Sequence, residues 1–343
     1  MNEQSTLFQK EVEETKEELK TLSNRNEFLF LYDIKMGNPN GDPDENRPRV
    51  LPDNTVFVTD VRMKRYIRDY FLQKKQEILV GKIEGKTTNL TGRVAHYLKS
   101  KGLERATGEE IVNILQGAFI DARLFGSSFA FKEIKEQFEG EEAPTNWKPT
   151  PLPKTMTGPV QFNMGEVLHD VEQVDIHGTT TFASDEGKSQ GTFTQFFGIR
   201  YGLIAFSGIA NEYSAKISKL SDNDYDDFIN AMWKCVRESA NTRTKKGQIP
   251  HFLLNITYNS DSEFQFGRLQ DYVKTIASNG KNEKEWKSPE DYKLDISLLL
   301  KRLEKYDSKI EKISYQISDD IQFIEELPKN EKWENLDLDG GKE

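Results

Sequence analysis

The chain has 343 residues, of which 36% are apolar and 30% are charged, a composition typical of a folded protein with one large domain or two modest ones. No segment approaches the roughly 18 consecutive apolar residues of a membrane span, and the N-terminal run of Glu and Lys lacks the apolar core of a secretion signal. We therefore expect a cytoplasmic protein with no membrane partner. The single cysteine, Cys235, and four scattered histidines lack metal-ligand spacing, so we expect no metal and no cofactor.

The net charge of −10 is concentrated at the two ends of the chain. Residues 1–22 contain six Glu and three Lys, and residues 319–343 contain nine acidic residues and three Lys, so the ends contribute −3 and −6. The remaining residues, 23–318, carry a net charge of only −1. Because phosphate binding depends on local clusters of cations, this nearly neutral part can still bind nucleic acid. We expect the acidic ends to be solvated or to face other subunits.

The first predicted elements are a charged helix over residues 5–22 and a strand over residues 28–32, which alternates aromatic and leucine side chains. We assign the aromatic side chains of this strand, Phe28, Phe30 and Tyr32, to core packing. The Gly, Asn, Pro and Asp residues of 37–43 predict a turn.

A helix is predicted next, from Val61 to about Leu79, and Thr59 or Asp60 can cap its N-terminus. The pattern from there to Pro153 is mixed. A helix near residues 108–117 and a proline-rich stretch predict an insertion into the main fold.

Two strands are predicted at residues 157–167 and 197–206, and the Gly-rich, polar segment between them predicts a long projecting hairpin. A helix over residues 225–239, capped by Ser221 or Asp222, and a strand over residues 251–258 follow. The order is β-α-β-β-α-β, which is the ferredoxin-like order of RNA-recognition domains and predicts an α+β fold. A final helix is predicted over residues 292–317 from apolar residues at helical spacing.

Several separated motifs resemble one known family. They are, in chain order, Asn38-Pro39-Asn40-Gly41-Asp42-Pro43-Asp44, Val58-Thr59-Asp60-Val61-Arg62-Met63-Lys64-Arg65, Asp121 to Gly126, Gly158-Pro159-Val160-Gln161, and Asn241-Thr242-Arg243-Thr244-Lys245-Lys246-Gly247-Gln248. Together they resemble the Cascade backbone family (the Cas seven family) of CRISPR-associated proteins, in its type I-B branch and more loosely in type I-C. The resemblance covers roughly residues 26–260.

The resemblance implies a hand-shaped RNA-binding scaffold with an RRM-like palm, a helical finger insertion and a β-hairpin thumb. The implied boundaries are an N-terminal helix at 1–23, palm segments at 24–79, 154–171 and 197–260, a finger at 80–153, a thumb at 172–196, and a C-terminal helical segment with an acidic tail at 261–343. The implied partners are crRNA, target DNA in the R-loop, further copies of the chain, and the Cas five-type, Cas six-type, large and small Cascade subunits.

The first palm helix carries a face with Lys64, Arg68 and Lys75, beside which lies Arg65. Such cations can follow a nucleic-acid backbone, although an ordinary solvated helix face has the same pattern. The resemblance favours the first interpretation, because Lys64, Arg65 and Arg68 match basic positions of the family's guide-binding helix.

The loop at residues 38–44 is either a plain turn cluster or a contact with RNA, in which Asn38 and Asn40 bond phosphate or 2′-hydroxyl groups. Catalysis by Asp42 and Asp44 through a magnesium ion is a further alternative, a metal-dependent ribonuclease. The resemblance favours a chain that is not an enzyme, since the loop aspartate cuts RNA in related type III subunits and not in type I members.

Other candidate RNA contacts carry the same kind of ambiguity. Arg123 and Phe125 can stack on bases or form a core turn, and the cluster Arg243, Lys245, Lys246 and Gln248 can bind phosphate or be solvated. Within the thumb we predict contacts from Thr180, Phe182 and Phe193 to a displaced base. A free-standing RNA-recognition module is a third alternative to the scaffold.

Overall fold

The structure is a computed structural model, and it describes residues 20–83, 85–103, 106, 108–128, 155–179, 193–240, 242–278 and 280–340. The helix predicted at residues 5–22 therefore lies almost wholly outside the described residues. The chain divides into two compact units. The insertion unit comprises residues 1–25, 71–161 and 210–228, and the sheet unit comprises residues 26–70, 162–209 and 229–343.

The strands and helices of the described residues are numbered in chain order. The strands are β1 (Asn26–Gly37), β2 (Phe57–Val58), β3 (Gly126–Ser128), β4 (Thr155–Thr157), β5 (Val160–Phe162), β6 (Gly165–Val167), β7 (Gln173–Thr179), β8 (Phe193–Ala210), β9 (Ile249–Tyr258), β10 (Lys274–Ala277), β11 (Tyr292–Asp295), β12 (Ile310–Ile317) and β13 (Trp333–Asn335). The helices are α1 (Asp60–Gln73), α2 (Leu90–Ser100), α3 (Gly108–Ala118), α4 (Ile120–Phe125), α5 (Glu212–Ser218), α6 (Asp222–Glu238) and α7 (Ser297–Lys305).

The sheet unit is built on a large sheet whose strands follow the order β13-β12-β9-β1-β8-β6-β2, and β7 pairs with β8. Strand β1 is antiparallel to β9 and places Leu29 opposite Leu254, while β12 is antiparallel to β9 on its other side. Because both faces of β1 are buried from Asn26 to Ile34, the sheet carries apolar side chains on both sides.

The two faces of β1 pack against different partners. Leu29 and Leu31 belong to a core with buried residues of the C-terminal segment, among them Trp286 and Leu299. The aromatic residues point to the other face, where the ring of Tyr32 lies 5.6 Å from that of Phe30 and 6.3 Å from that of Phe206. The prediction that Phe28, Phe30 and Tyr32 serve packing is confirmed, because all three are fully buried.

Of the alternatives predicted for the two helix caps, Thr59 and Ser221 are confirmed. Thr59 Oγ1 accepts a hydrogen bond of 3.3 Å from the amide of Arg62. At the start of α6, Ser221 Oγ accepts from the Asp224 amide, and Asp224 Oδ2 accepts from the Ser221 amide, both at 3.1 Å. This reciprocal arrangement is a capping box.

Helix α1 ends at Gln73, six residues before the predicted end. Lys75 adopts a left-handed backbone conformation with φ of 62°, and the Gln76 amide donates to the Phe71 carbonyl, which is a typical helix C-terminus. Lys75 therefore lies beyond the basic face that was predicted to include it.

The single strand predicted at residues 157–167 is wrong, because the segment forms the three short strands β4, β5 and β6. Pro159 has no amide to donate to a ladder. A Cβ on Gly158 would lie 2.1 Å from the Phe125 carbonyl carbon, so this glycine permits a close backbone approach at the break.

The helix predicted at residues 292–317 is also wrong. Only Ser297–Lys305 is helical, and β11 and β12 flank it. Ile310 and Ile313 are buried and pair with β9. Their spacing fits one face of a helix, but a short 3-10 turn at Asp307–Lys309 separates them from α7, and β-branched residues favour a strand.

The acidic C-terminal segment is packed in part, whereas we had expected solvation or contact with other subunits. Strand β13 runs parallel to β12. Beyond it, the Leu338 amide donates to Gln316 Oε1 at 2.8 Å, and Asp339 Oδ1 accepts from Trp233 Nε1 at 2.9 Å. The segment is therefore part of the sheet unit.

Helices α2, α3 and α4 belong to the insertion unit and share a core that includes Leu98, Leu115 and Phe119. Buried Asp121 accepts hydrogen bonds from the amides of Leu79 and Val80 at 2.7 and 3.1 Å. These elements together give a mixed α+β fold with a central sheet, as predicted. Among the described residues, no helix has the length and apolar character needed to cross a membrane. The boundaries of finger, palm and thumb stay predictions.

Candidate RNA-binding surface

The first loop, residues 38–48, is held by the two asparagines that we predicted as RNA contacts. Both are buried. Asn38 Nδ2 donates to the Asn46 carbonyl at 2.6 Å. Asn40 Oδ1 accepts from the amide and hydroxyl of Thr59 at 2.9 and 2.8 Å, which fixes the loop to the start of α1. The side-chain amides of both asparagines therefore shape the loop.

Asp42, one of the two carboxylates of the ribonuclease alternative, is engaged by its own loop. Its Oδ1 accepts from the amides of Asp44, Glu45 and Asn46 at 2.9, 2.9 and 3.1 Å. Desolvation raises the pKa of Asp42, but these amides outweigh it and the pKa is lowered. Within the described ranges, no group of three or more His, Cys, Asp or Glu side chains is placed to hold a metal ion.

The second loop, residues 242–248, is bound tightly to the first. The Asn38 amide donates to the Thr244 carbonyl at 2.9 Å, and Lys245 Nζ donates to the Asn38 carbonyl. Gln248 Nε2 donates to the Lys245 carbonyl at 2.8 Å and to the Tyr66 hydroxyl at 3.1 Å. Lys245 and Gln248 are both buried, so they connect the two loops and α1, a role that the sequence analysis did not predict.

The outer side of the second loop carries Arg243 and Lys246, both exposed. The Arg243 guanidinium lies 5.4 Å from the ring centroid of Phe196, at the base of the β7-β8 hairpin. Arg47 of the first loop lies 3.8 Å from the neighbouring ring of Phe197. Sequence analysis missed Arg47, Phe196 and Phe197, because cation–π contacts between distant segments leave no local pattern. Cation–π contacts thus join both loops to the hairpin base, and we refer to the exposed cations of the two loops and of α1 as the cationic surface.

Helix α1 contributes the predicted cations in partly neutralised form. Lys64 Nζ lies 3.1 Å from Asp60 Oδ2, and Arg65 Nε lies 2.8 Å from Asp69 Oδ2. Arg68 is half-buried. The Lys64 side chain is largely buried, whereas that of Arg65 is 47% exposed. An ion pair at this spacing on a helix surface contributes only about 0.3–0.5 kcal/mol, so a phosphate group can compete for Arg65.

Arg123 and Phe125 belong to the insertion unit and are engaged in packing. Arg123 forms a bidentate pair with Asp224 at 2.7 and 2.9 Å and also donates to the carbonyls of Gln116 and Gly117. Burial alone would raise the pKa of Asp224, but Arg123 and the hydrogen bonds from Ser221 together outweigh it and the pKa is lowered. The ring of buried Phe125 lies 6.3 Å from that of Phe228. These contacts favour the core-turn interpretation.

The arms of the predicted hairpin are antiparallel and pair from Gln173 opposite Ile199 to Thr179 opposite Phe193. The predicted contact residues Thr180 and Phe182 lie outside the described residues. Phe193 begins the described part of β8. Its role toward a displaced base stays a prediction.

The family described as CRISPR-associated protein Cas7 matches residues 24–297 of this chain. The chain belongs to this family. A curated protein of the same description from Haloferax volcanii is 31% identical over 300 residues, which span 85% of this Cas7 chain and 86% of that protein. The family predicted from the sequence motifs is confirmed, and the loops and α1 described above lie inside the matched region.

A solved structure described as a CRISPR RNA-guided surveillance complex, pre-nicking, has a similar chain with a TM-score of 0.51 and 11% sequence identity. The match covers 92% of this chain and 98% of that chain. At this level of identity the similarity concerns the fold only.

Proposed function

We propose that this Cas7 protein is a non-catalytic, crRNA-binding backbone subunit of a type I-B CRISPR Cascade complex, and that several copies line one guide RNA. The observation that carries the proposal is the family match over residues 24–297, which includes every element of the cationic surface. Two further kinds of partner follow from this role. They are target DNA, which pairs with the guide, and the other Cascade subunits.

The sheet order supports an RRM-like palm within this fold. In the ferredoxin-like order, the last and third strands flank the first, and here β9 and β8 are the neighbours of β1. Helix α1 follows β1 and α6 follows β8. We assign β1, β6, β8 and β9 to the four palm strands.

The charge and shape of the surface support binding without sequence preference. A scaffold for arbitrary guides must bind the RNA backbone, for which cations, main-chain amides and aromatic platforms suffice. Arg47, Arg243 and Lys246 lie on two loops that hydrogen bonds join to each other and to α1. The surface is therefore preorganised for a phosphate chain.

The hairpin supports the assignment of a thumb that spaces the guide. A two-stranded ribbon is at best marginally stable in water, so the paired arms of β7 and β8 favour a partner outside their own subunit. We assign that partner as the RNA held by a neighbouring copy, where inserting a ribbon between bases costs a few kcal/mol of unstacking.

Co-expression with a CRISPR array and its associated subunits tests the whole proposal. We expect the chain to purify with a guide RNA in an assembly larger than a monomer, and chemical probing should find bases exposed at a fixed period. Replacement of residues 179–194 by a short Gly-Ser turn should preserve folding and abolish the period. Monomers on long RNA would support a free-standing recognition module instead.

A further inference from the structure

An exposed apolar pair lies on α5, a helix of the insertion unit. The side chains of Tyr213 and Ile217 are one helical turn apart, and the two residues are 50% and 67% exposed. The opposite side of α5 is buried at Ala215 and Ser218. Contiguous exposed apolar residues mark interaction sites, whereas isolated ones need no explanation.

The C-terminal half of α3 borders this pair. Gln116 Nε2 donates to the Ile217 carbonyl at 2.9 Å, and Lys219 Nζ donates to Asn113 Oδ1 at 2.8 Å. Gly117 lies one turn after Asn113 and is exposed, and a Cβ there would meet no atom within 4 Å. This glycine therefore leaves room beside Ile217 for another segment of chain.

The first described residues of the chain are fastened to the same helix. Arg25 forms a buried ion pair with Glu212 of α5 at 3.0 Å. The Leu22 amide donates to the carbonyl of Leu220, two residues beyond the end of α5, at 2.8 Å. The chain that precedes Leu22 therefore starts close to the exposed pair, and a few extended residues, at about 3.3–3.6 Å each, are enough to reach it.

Residues 1–19 lie outside the described residues, but their sequence suits this surface. Phe8, Val12 and Leu19 are separated by four and seven residues, which is the spacing of an apolar stripe along one face of a helix. The residues between them are mainly charged or polar. The pattern is that of an amphipathic segment that needs an apolar partner.

The charges of the segment and the surface are opposite in sign. Residues 1–22 contain six Glu and three Lys. On α5, Lys216 Nζ lies 5.7 Å from the ring centroid of Tyr213, and Lys219 directly follows the helix. Complementary charges of this kind favour one partner over others more than they add to affinity.

We propose that residues 5–19 bind as an amphipathic helix to the exposed face of α5 in the same chain, with Phe8 and Val12 against Tyr213 and Ile217. Each pair is four residues apart, so the side chains of both pairs are one turn apart and match in spacing. The short connection holds the segment at an effective concentration of roughly millimolar, which favours the surface of the same chain over that of a second copy.

The first experiment measures how fast a maleimide alkylates a cysteine beside the apolar pair in the full chain. Lys216→Cys keeps Tyr213 and Ile217, and the natural Cys235 is buried. Adding Val12→Asp should raise the alkylation rate by about tenfold, because a carboxylate opposes burial of the segment. Lys99→Cys, at an exposed lysine of α2 in the same unit, is the matched control and should react at one rate in both backgrounds.

The second experiment identifies the occupant by disulfide trapping under mild oxidation. Val12→Cys combined with Ile217→Cys should form a bond within one chain, whereas Val12→Cys combined with Lys99→Cys should not. A mixture of two proteins that carry Val12→Cys and Ile217→Cys singly should stay uncoupled. Circular dichroism confirms the fold of each variant.

An alkylation rate that Val12→Asp leaves unchanged would overturn the proposal, and so would equal disulfide yields at positions 217 and 99. Coupling between the two singly substituted proteins, in place of the bond within one chain, would assign the surface to a second copy and overturn the occupant named here. All of these readouts are made without RNA, so the proposed function is tested separately.

Discussion

The guanidinium of Arg47 lies 3.8 Å from the ring centroid of Phe197, and this contact joins the first loop to the base of the hairpin. Arg47 also pairs with Glu45 at 2.5 Å, so its guanidinium is held on two sides. Phe197 is buried and pairs with Asp175 across the hairpin. The position of the hairpin base is thus coupled to the loop that carries the family's Asn-Gly-Asp motif.

We expect Arg47→Ala to cost about 0.5–1 kcal/mol of stability, because a cation–π contact made by an exposed arginine contributes about this much. A double-mutant cycle with Phe197→Leu, measured by urea unfolding, should give a coupling energy of the same size. Arg268→Ala, whose described partner is Asp271, should be additive with Phe197→Leu. Additivity of Arg47→Ala as well would contradict the coupling.

Replacing Arg243 and Lys246 together by Ala should lower the slope of log affinity against log salt concentration by about two, since each exposed cation that binds a phosphate releases roughly one counterion. The Lys64, Arg65 and Arg68 triple Ala variant should flatten the slope further and weaken all RNA sequences alike. Filter binding at several salt concentrations gives the slopes. A slope equal to that of the unmodified protein, with folding confirmed, would contradict the assignment of these cations.

Arg123→Ala should act on stability and leave the salt slope of RNA binding unchanged. The pair with Asp224 is largely buried, and its loss leaves an unpaired carboxylate, so we expect a cost of a few kcal/mol. Because the pKa of Asp224 is lowered in the folded state, its contribution is present above the ordinary carboxyl pKa and is lost as pH falls through the lowered value. A changed salt slope with normal stability would restore Arg123 as an RNA contact.

Asp42→Ala should loosen the first loop, because three amides lose their acceptor. Asp44→Asn should be neutral for stability. Neither change should alter RNA integrity, since the unmodified protein should leave labelled RNA uncut in magnesium. Discrete fragments that disappear in either variant would establish the ribonuclease alternative.

The strongest sequence patterns predicted the elements around the surface correctly. The alternation of aromatic and leucine side chains at residues 28–32 predicted β1, and the hydroxyl caps at Thr59 and Ser221 predicted the starts of α1 and α6. These signals are local, because a cap or an alternating strand depends on neighbours in sequence. The helix predicted from the spacing of Ile310 and Ile313 was wrong. Apolar residues at these positions suit a helix or a strand, and only pairing with β9 decides between the two.

The roles of the charged residues were harder to predict. Lys245 and Lys246 are adjacent cations in one motif, yet the first is buried against the Asn38 carbonyl and the second is exposed. Arg123 is a cation of the kind that contacts RNA, but it forms an ion pair with Asp224. Which cation faces solvent depends on segments far away in the chain, and a sequence pattern does not contain that information.

Strand β1 emerges from the ribosome long before the strand that pairs with it. About 200 residues separate its end at Gly37 from the start of β9 at Ile249, which at 5–20 residues per second corresponds to roughly 10–40 s of translation. During this interval the chain presents an aromatic segment that is buried on both faces in the finished fold. It lacks β9 throughout, and it lacks β8 until Ala210 has been made. Nascent chains of this protein should therefore need protection from aggregation, and pausing early in translation should be more harmful than pausing after β9.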